Sequence, residues 1–191
     1  METKSILIAG VGGQGTLLAS KLLGRLLLAQ GYDVKVSEVH GMAQRGGSVV
    51  TFVRYGDKVY SPIVGKGEAD LLLSFELLEA ARWLPWLKQG GTVITNDRRI
   101  DPMPVITGEQ KYPEDLAEKI RARGVTIDAF DCLALAEEAG SAKAVNIVLL
   151  GRLSHWFDFP DEVWQKALEA TVPAKVLELN KRAFRMGQER E

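Results

Sequence analysis

Apolar positions in this chain fall into short unbroken runs, set apart by longer stretches with helical spacing. Residues 5–9 are apolar in succession, the pattern of a strand buried on both faces, and 70–75 repeat it. Further strands are predicted over 33–39, 92–95 and 125–130. Residues 48–55 are β-branched and aromatic. Gly56-Asp57 follows as a turn, and 58–61 read as the returning strand of a hairpin. Helical spacing covers 14–30, where Gly31 supplies the stop, 77–87 before Gly90-Gly91, and 113–123, closed by Gly124. Residues 97–113, with Pro102, Pro104 and Pro113, read as an irregular excursion. From Leu133 onward the pattern is helical, broken near Gly140-Ser141, Asp158-Phe159-Pro160 and Val172-Pro173.

Strands alternating with helices imply a three-layer α/β fold, a Rossmann-like and mostly parallel sheet with an antiparallel hairpin and a helical C-terminal third. One domain over 1–191 is expected, with the sheet part in 1–131 and the helical part in 132–191. Ligands of such sheets bind beyond the carboxyl ends of the strands. Those ends are residues 10–15, 38–47, 74–76 and 95–96.

Composition narrows the function. Lys and Arg number 24 and Asp and Glu 25, which gives no reason to invoke nucleic acid or an anionic membrane. Met1 leads almost directly into the first strand, so no secretory leader is expected. The most apolar segment, 17–29, is interrupted by Lys21 and Arg25 and cannot span a bilayer. The single cysteine, Cys132, rules out an internal disulfide and fits a reducing cytoplasm. One thiol and two histidines cannot build a four-thiolate iron–sulfur site or a His-rich metal centre. No metal site is expected.

Two glycine-rich loops carry the candidate chemistry. Gly10-Val11-Gly12-Gly13-Gln14-Gly15 lies between a strand and a helix. Glycines at this spacing allow the tight turn, backbone approach to a phosphate and close helix packing. The helix N-terminus favours an anion. Glu38, late in the second strand, stands where a ribose-binding acid would be. The same glycines also serve plain strand–helix packing. The second loop runs His40-Gly41-Met42-Ala43-Gln44-Arg45-Gly46-Gly47. Arg45 there could clamp a carboxylate or phosphate, or order its own loop. His40 and Cys132 read as structural, and His155 as packing in an apolar helical run. Trp83, Trp86, Trp156 and Trp164 read as core or subunit interface.

Residues 10–15 and 37–50, with Val59-Tyr60-Ser61-Pro62, Gly67-Glu68-Ala69-Asp70, 91–96 and 144–151, resemble the γ-type component of the 2-oxoacid:ferredoxin oxidoreductases, most nearly the indolepyruvate type. The second loop is the specific part of the likeness, which covers most of the chain. The resemblance implies oxidation of aryl 2-oxoacids with coenzyme A to acyl-CoA, carbon dioxide and reduced ferredoxin. It places thiamine diphosphate and the [4Fe-4S] clusters on a large partner subunit, and none of them on this chain alone. It implies an accessory subunit that helps close the partner's active site.

On this reading no residue of the chain is catalytic. Gly10, Gly12, Gly13, Gln14, Gly15, Gly46 and Gly47 line a ligand or interface crevice. Arg45 contacts an anion and Gln44 donates a hydrogen bond, with Glu38 and Asn96 as neighbours from strand ends. A stand-alone NAD- or ATP-binding enzyme and a purely scaffolding chain are the alternatives.

Overall fold

The computed structural model describes residues 1–40 and 47–190. Its first strand, β1 (Lys4–Val11), is buried from Ser5 onward, as the unbroken apolar run requires. Helix α1 (Thr16–Ala29) follows and buries Ala19, Leu22, Leu23, Leu26 and Leu27 along one stripe. Next come β2 (Asp33–His40), β3 (Ser48–Gly56), β4 (Ala69–Ser74), α2 (Leu77–Trp83), β5 (Leu87–Asn96), α3 (Met103–Ile106), α4 (Leu116–Arg121) and β6 (Thr126–Phe130). The helical remainder is α5 (Cys132–Glu138), α6 (Val145–Leu153), α7 (Asp161–Thr171) and α8 (Leu177–Glu189).

The strands form one sheet in the order β2-β3-β1-β4-β5-β6. β1, β4, β5 and β6 run parallel, while β3 is antiparallel to both β1 and β2. β2 therefore points the same way as β1. The carboxyl ends of every strand but β3 share one edge, where β3 begins. The larger core, on one face, joins α1, α5, α6, α7 and α8 to the sheet around Ile6, Ile8, Leu71 and Trp164. The other face packs Leu7, Val50, Phe52 and Leu72 under Ala80 of α2 and Ile120 of α4. The three-layer α/β expectation is met.

The expected return strand at 58–61 does not form. β3 has β1 on one side and β2 on the other, so neither of its edges is open to another strand. Side chains satisfy the backbone there instead. The Val59 N–H donates to the Asp33 carboxylate at 2.9 Å, and Arg54 donates to the Ile63 carbonyl at 2.8 Å. The antiparallel hairpin is β2–β3, and the second glycine loop is its connection. The helix expected over 77–87 ends at Trp83, then a single 3-10 turn, Leu84–Trp86, contains Pro85. β5 accordingly starts at Leu87, ahead of the apolar run at 92–95.

α6 and α8 cross at two glycines. A Cβ on Gly151 would lie 2.0 Å from the Phe184 carbonyl oxygen, and one on Gly187 would lie 2.0 Å from that of Val148. The two backbones touch, which only residues without a side chain permit.

Candidate functional site

The two glycine loops meet. The Gly12 N–H donates to the Gly47 carbonyl at 2.9 Å, and the ladder sets His40 opposite Val49 and Val49 opposite Gly10. Arg45, expected to contact an anion, Gln44, expected to donate a hydrogen bond, and Gly46, expected to line the crevice, lie outside the described residues, as do Gly41, Met42 and Ala43.

Gln14 folds back into the first loop. Its Oε1 accepts from the Val11 N–H at 2.6 Å, and its Nε2 donates to the Phe75 carbonyl at 3.1 Å. A Cβ on Gly10 would sit 2.9 Å from that Oε1, so the first glycine makes room for the glutamine. Gly15 caps α1 in the left-handed region at φ 88, with no side-chain cap. The Asn146 amide approaches so closely that a Cβ on Gly15 would meet its Nδ2 at 2.7 Å. This loop thus uses the N–H groups of Val11, Gly12 and Gln14 within the protein rather than leaving them for a phosphate.

Asn96 is 1% exposed. Its Oδ1 accepts from the Cys132 N–H at 3.0 Å and its Nδ2 donates to Phe75 O at 3.5 Å. It joins the carboxyl ends of β4 and β5 to the start of α5. Glu38 pairs in register with Thr51 of β3, and Thr51 with Ile8 of β1. One strand stands between Glu38 and β1, which puts it about 10 Å from β1, twice the distance of an adjacent-strand acid.

Beyond these residues opens a cleft of about 430 Å³, lined by Gly13, Gln14, Gly15 and Asn96 with Arg98, Ala142, Lys143 and Val145. Sequence reasoning passed over Arg98 and Lys143. Both are exposed, and neither forms a salt bridge among the described residues. Two cations, no acid, and the N-terminus of a fourteen-residue helix with no acidic residue in its first turn make the lining of this cleft electropositive.

Glu76 holds the edge in place. This carboxylate, 1% exposed, caps α2 by accepting from the Glu79 N–H at 2.9 Å. It also accepts from the Ile100 N–H at 3.1 Å and from the Tyr112 hydroxyl. Burial raises its pKa above the usual carboxylate value, although these donors pull the other way. The guanidinium of Arg99 lies 4.5 Å from the centre of the Tyr112 ring. The excursion at 97–113 is thereby tied to the strand ends. Glu79, also buried, accepts from the Ser48 hydroxyl at the exit of the second loop and from Arg82 Nε at 3.0 Å.

The remaining candidates are structural. Cys132 is fully buried, and burial pushes its thiol pKa far up, so it offers no thiolate. His155 was expected in packing but is exposed, with Nε2 2.7 Å from the Gln188 carbonyl. It lies in the 3-10 turn that ends α6, not inside an apolar helix. Trp164 is core, whereas Trp156 is 46% exposed. No cluster of three His, Cys, Asp or Glu side chains suited to a metal occurs among the described residues. No helix of the described residues is long and apolar enough to cross a membrane.

The fold and this edge have relatives. The family described as "Pyruvate ferredoxin/flavodoxin oxidoreductase" matches residues 5–190. An indolepyruvate oxidoreductase subunit IorB of Thermococcus kodakarensis is 46% identical, covering 98% of this chain and 95% of its own length. The subunit of the same name from Pyrococcus horikoshii is 44% identical with the same coverage. The crystal structure of a keto/oxoacid ferredoxin oxidoreductase gamma subunit from Geobacter sulfurreducens superposes with a TM-score of 0.72 at 25% identity, covering 97% of this chain and 96% of that one. The chain belongs to the pyruvate ferredoxin/flavodoxin oxidoreductase family, as a subunit of an oxidoreductase.

Proposed function

We propose that this chain is the small subunit of an indolepyruvate:ferredoxin oxidoreductase in the cytoplasm, and that it completes an active site on a large partner. That partner carries the thiamine diphosphate and the [4Fe-4S] clusters. Thiamine diphosphate supplies the electron sink for decarboxylation. An aryl 2-oxoacid and CoA then yield acyl-CoA and carbon dioxide, and the electrons pass to ferredoxin.

The observation that carries the reading is the carboxyl edge. The two glycine loops are joined there by the Gly12–Gly47 hydrogen bond, beside a cleft where Arg98 and Lys143 have no ion pair among the described residues. The chain's own part is to bind and orient. Arg98, Lys143 and the N-terminus of α1 take the phosphates of CoA. Arg45 adds an anion contact and Gln44 a hydrogen bond from the second loop. Gly12, Gly13 and Gly15 keep the crevice shallow enough for backbone to approach the partner or the ligand.

Reconstitution tests this. The large subunit is expected to reduce a viologen dye with indolepyruvate and CoA only when this chain is added. Full activity without it would refute the proposal. In the complex, Arg98→Gln and Lys143→Gln should each raise the KM for CoA about tenfold, the loss of one charge-assisted hydrogen bond, with assembly intact. Tight binding of NAD or ATP by the isolated chain would favour a stand-alone nucleotide enzyme. The internal bonding of the Val11 and Gly12 amides argues against it.

A further inference from the structure

The opposite edge of the sheet carries a second cleft, of about 340 Å³, lined by none of the described residues of the two glycine loops. It opens among the amino ends of β1, β4 and β5. Its floor is apolar, formed by Ile6 and Leu71, both almost fully buried, with Tyr55 beside them. Residues 88–91 form part of the wall. Gly90 turns there with φ 79, and a Cβ on it would meet nothing within 4 Å, so at this residue the wall is bare backbone beside open space. Trp156 also lines the cleft. It is 46% exposed, while Trp164 on the following helix is sealed.

The charges in the cleft do not balance. Asp70 accepts from the Ser5 N–H at 2.8 Å and pairs with Lys4 Nζ at 3.4 Å and with Lys88 Nζ. Two ammonium groups share one carboxylate, and the other lining residues are uncharged. The lining therefore carries one positive charge in excess beside an apolar floor and an indole face.

We propose that this cleft binds a small aromatic monocarboxylate, its ring against Trp156 over the Ile6–Leu71 floor and its carboxylate on Lys4 and Lys88. A flat apolar body covers the half-exposed Trp156 ring, and a single negative charge matches the single excess cation. A cation would meet the two ammoniums. A neutral ring would bury them beside apolar surface without compensation. The inference is independent of the proposed reaction, because every residue it uses lies at the amino edge.

The test is calorimetric titration of the full-length chain with phenylacetate and with its neutral counterpart phenylacetamide. Phenylacetate is expected to bind at least tenfold more tightly. Lys88→Gln should reduce that preference to less than threefold, because Asp70 then neutralises the remaining lysine. Trp156→Ala should weaken phenylacetate at least tenfold, and Trp156→Phe, which keeps an aromatic face, should stay within about threefold of the original. Each variant's thermal midpoint, matched to that of the parent, shows that the fold is kept. Equal affinity for acid and amide, no measurable binding of phenylacetate, or unaltered binding by both Lys88→Gln and Trp156→Ala would overturn the proposal.

Discussion

Gln14 explains why the first loop looks like a dinucleotide motif and yet is built differently. Its amide fills the crevice between the ends of β1 and β4, the switch point where a doubly wound sheet usually seats a phosphate. Glu76 holds the neighbouring strand end in a similar way, with a carboxylate in place of the amide. An acid whose native pKa is raised keeps its proton longer folded than unfolded. Its burial therefore lowers stability as pH climbs from the ordinary carboxylate value to the raised one. The Tyr112 hydroxyl opposes that loss by donating to the ionised form. Tyr112→Phe should cost about 1–2 kcal/mol of unfolding free energy near pH 8 and distinctly less near pH 4, below the ordinary carboxylate value, where the raised pKa keeps Glu76 protonated in the fold. Urea denaturation at both pH values measures this, and an equal cost at the two would show that the hydroxyl does not serve the ionised carboxylate.

Among the elements, the α6–α8 crossing is the contact least tolerant of change. Gly187→Ala would bring a methyl group onto the Val148 carbonyl, and the helices must separate to admit it. A loss of about 3 kcal/mol is expected, lowering the thermal midpoint by about 6–12 °C in calorimetry. Gly31→Ala is the control. Its φ of 86 strains any side chain, but a Cβ there meets nothing within 4 Å, so about 1 kcal/mol is expected. Comparable losses would mean that helix contact is not what Gly187 provides. The apolar stripe of α1 was legible in the sequence because it is a local period. The pairing of Gly151 with Phe184 and of Gly187 with Val148 was not, since it joins segments far apart in the chain. The hairpin was misread for the same reason. Residues 48–61 look like two strands about a Gly-Asp turn, and nothing local shows that β3 inserts between β1 and β2.

At the scale of the molecule, the sheet's direction divides the surface into two working edges. The glycine loops marked the carboxyl edge in advance, because a strand–glycine–helix junction is a local signal. Arg98 and Lys143 stayed hidden because they reach one cleft from segments that the chain separates by α3, α4, β6 and α5. The exposed apolar residues Met103 and Ile106, each 65% accessible, stand on α3 in the excursion that follows β5 at this same edge. Such side chains gain by being covered, and about 25 cal/mol per Å² is the scale of that gain. A partner that completes its site against the glycine loops would cover them as well. Hydrogen exchange on the chain, alone and bound to the large subunit, tests this directly. Peptides spanning 12–16 and 98–106 should exchange more slowly in the complex, while those spanning 86–91 and 154–157 at the amino edge should keep their free rates. Protection at the amino edge alone would place the partner over the second cleft and remove the carboxyl edge from the interface.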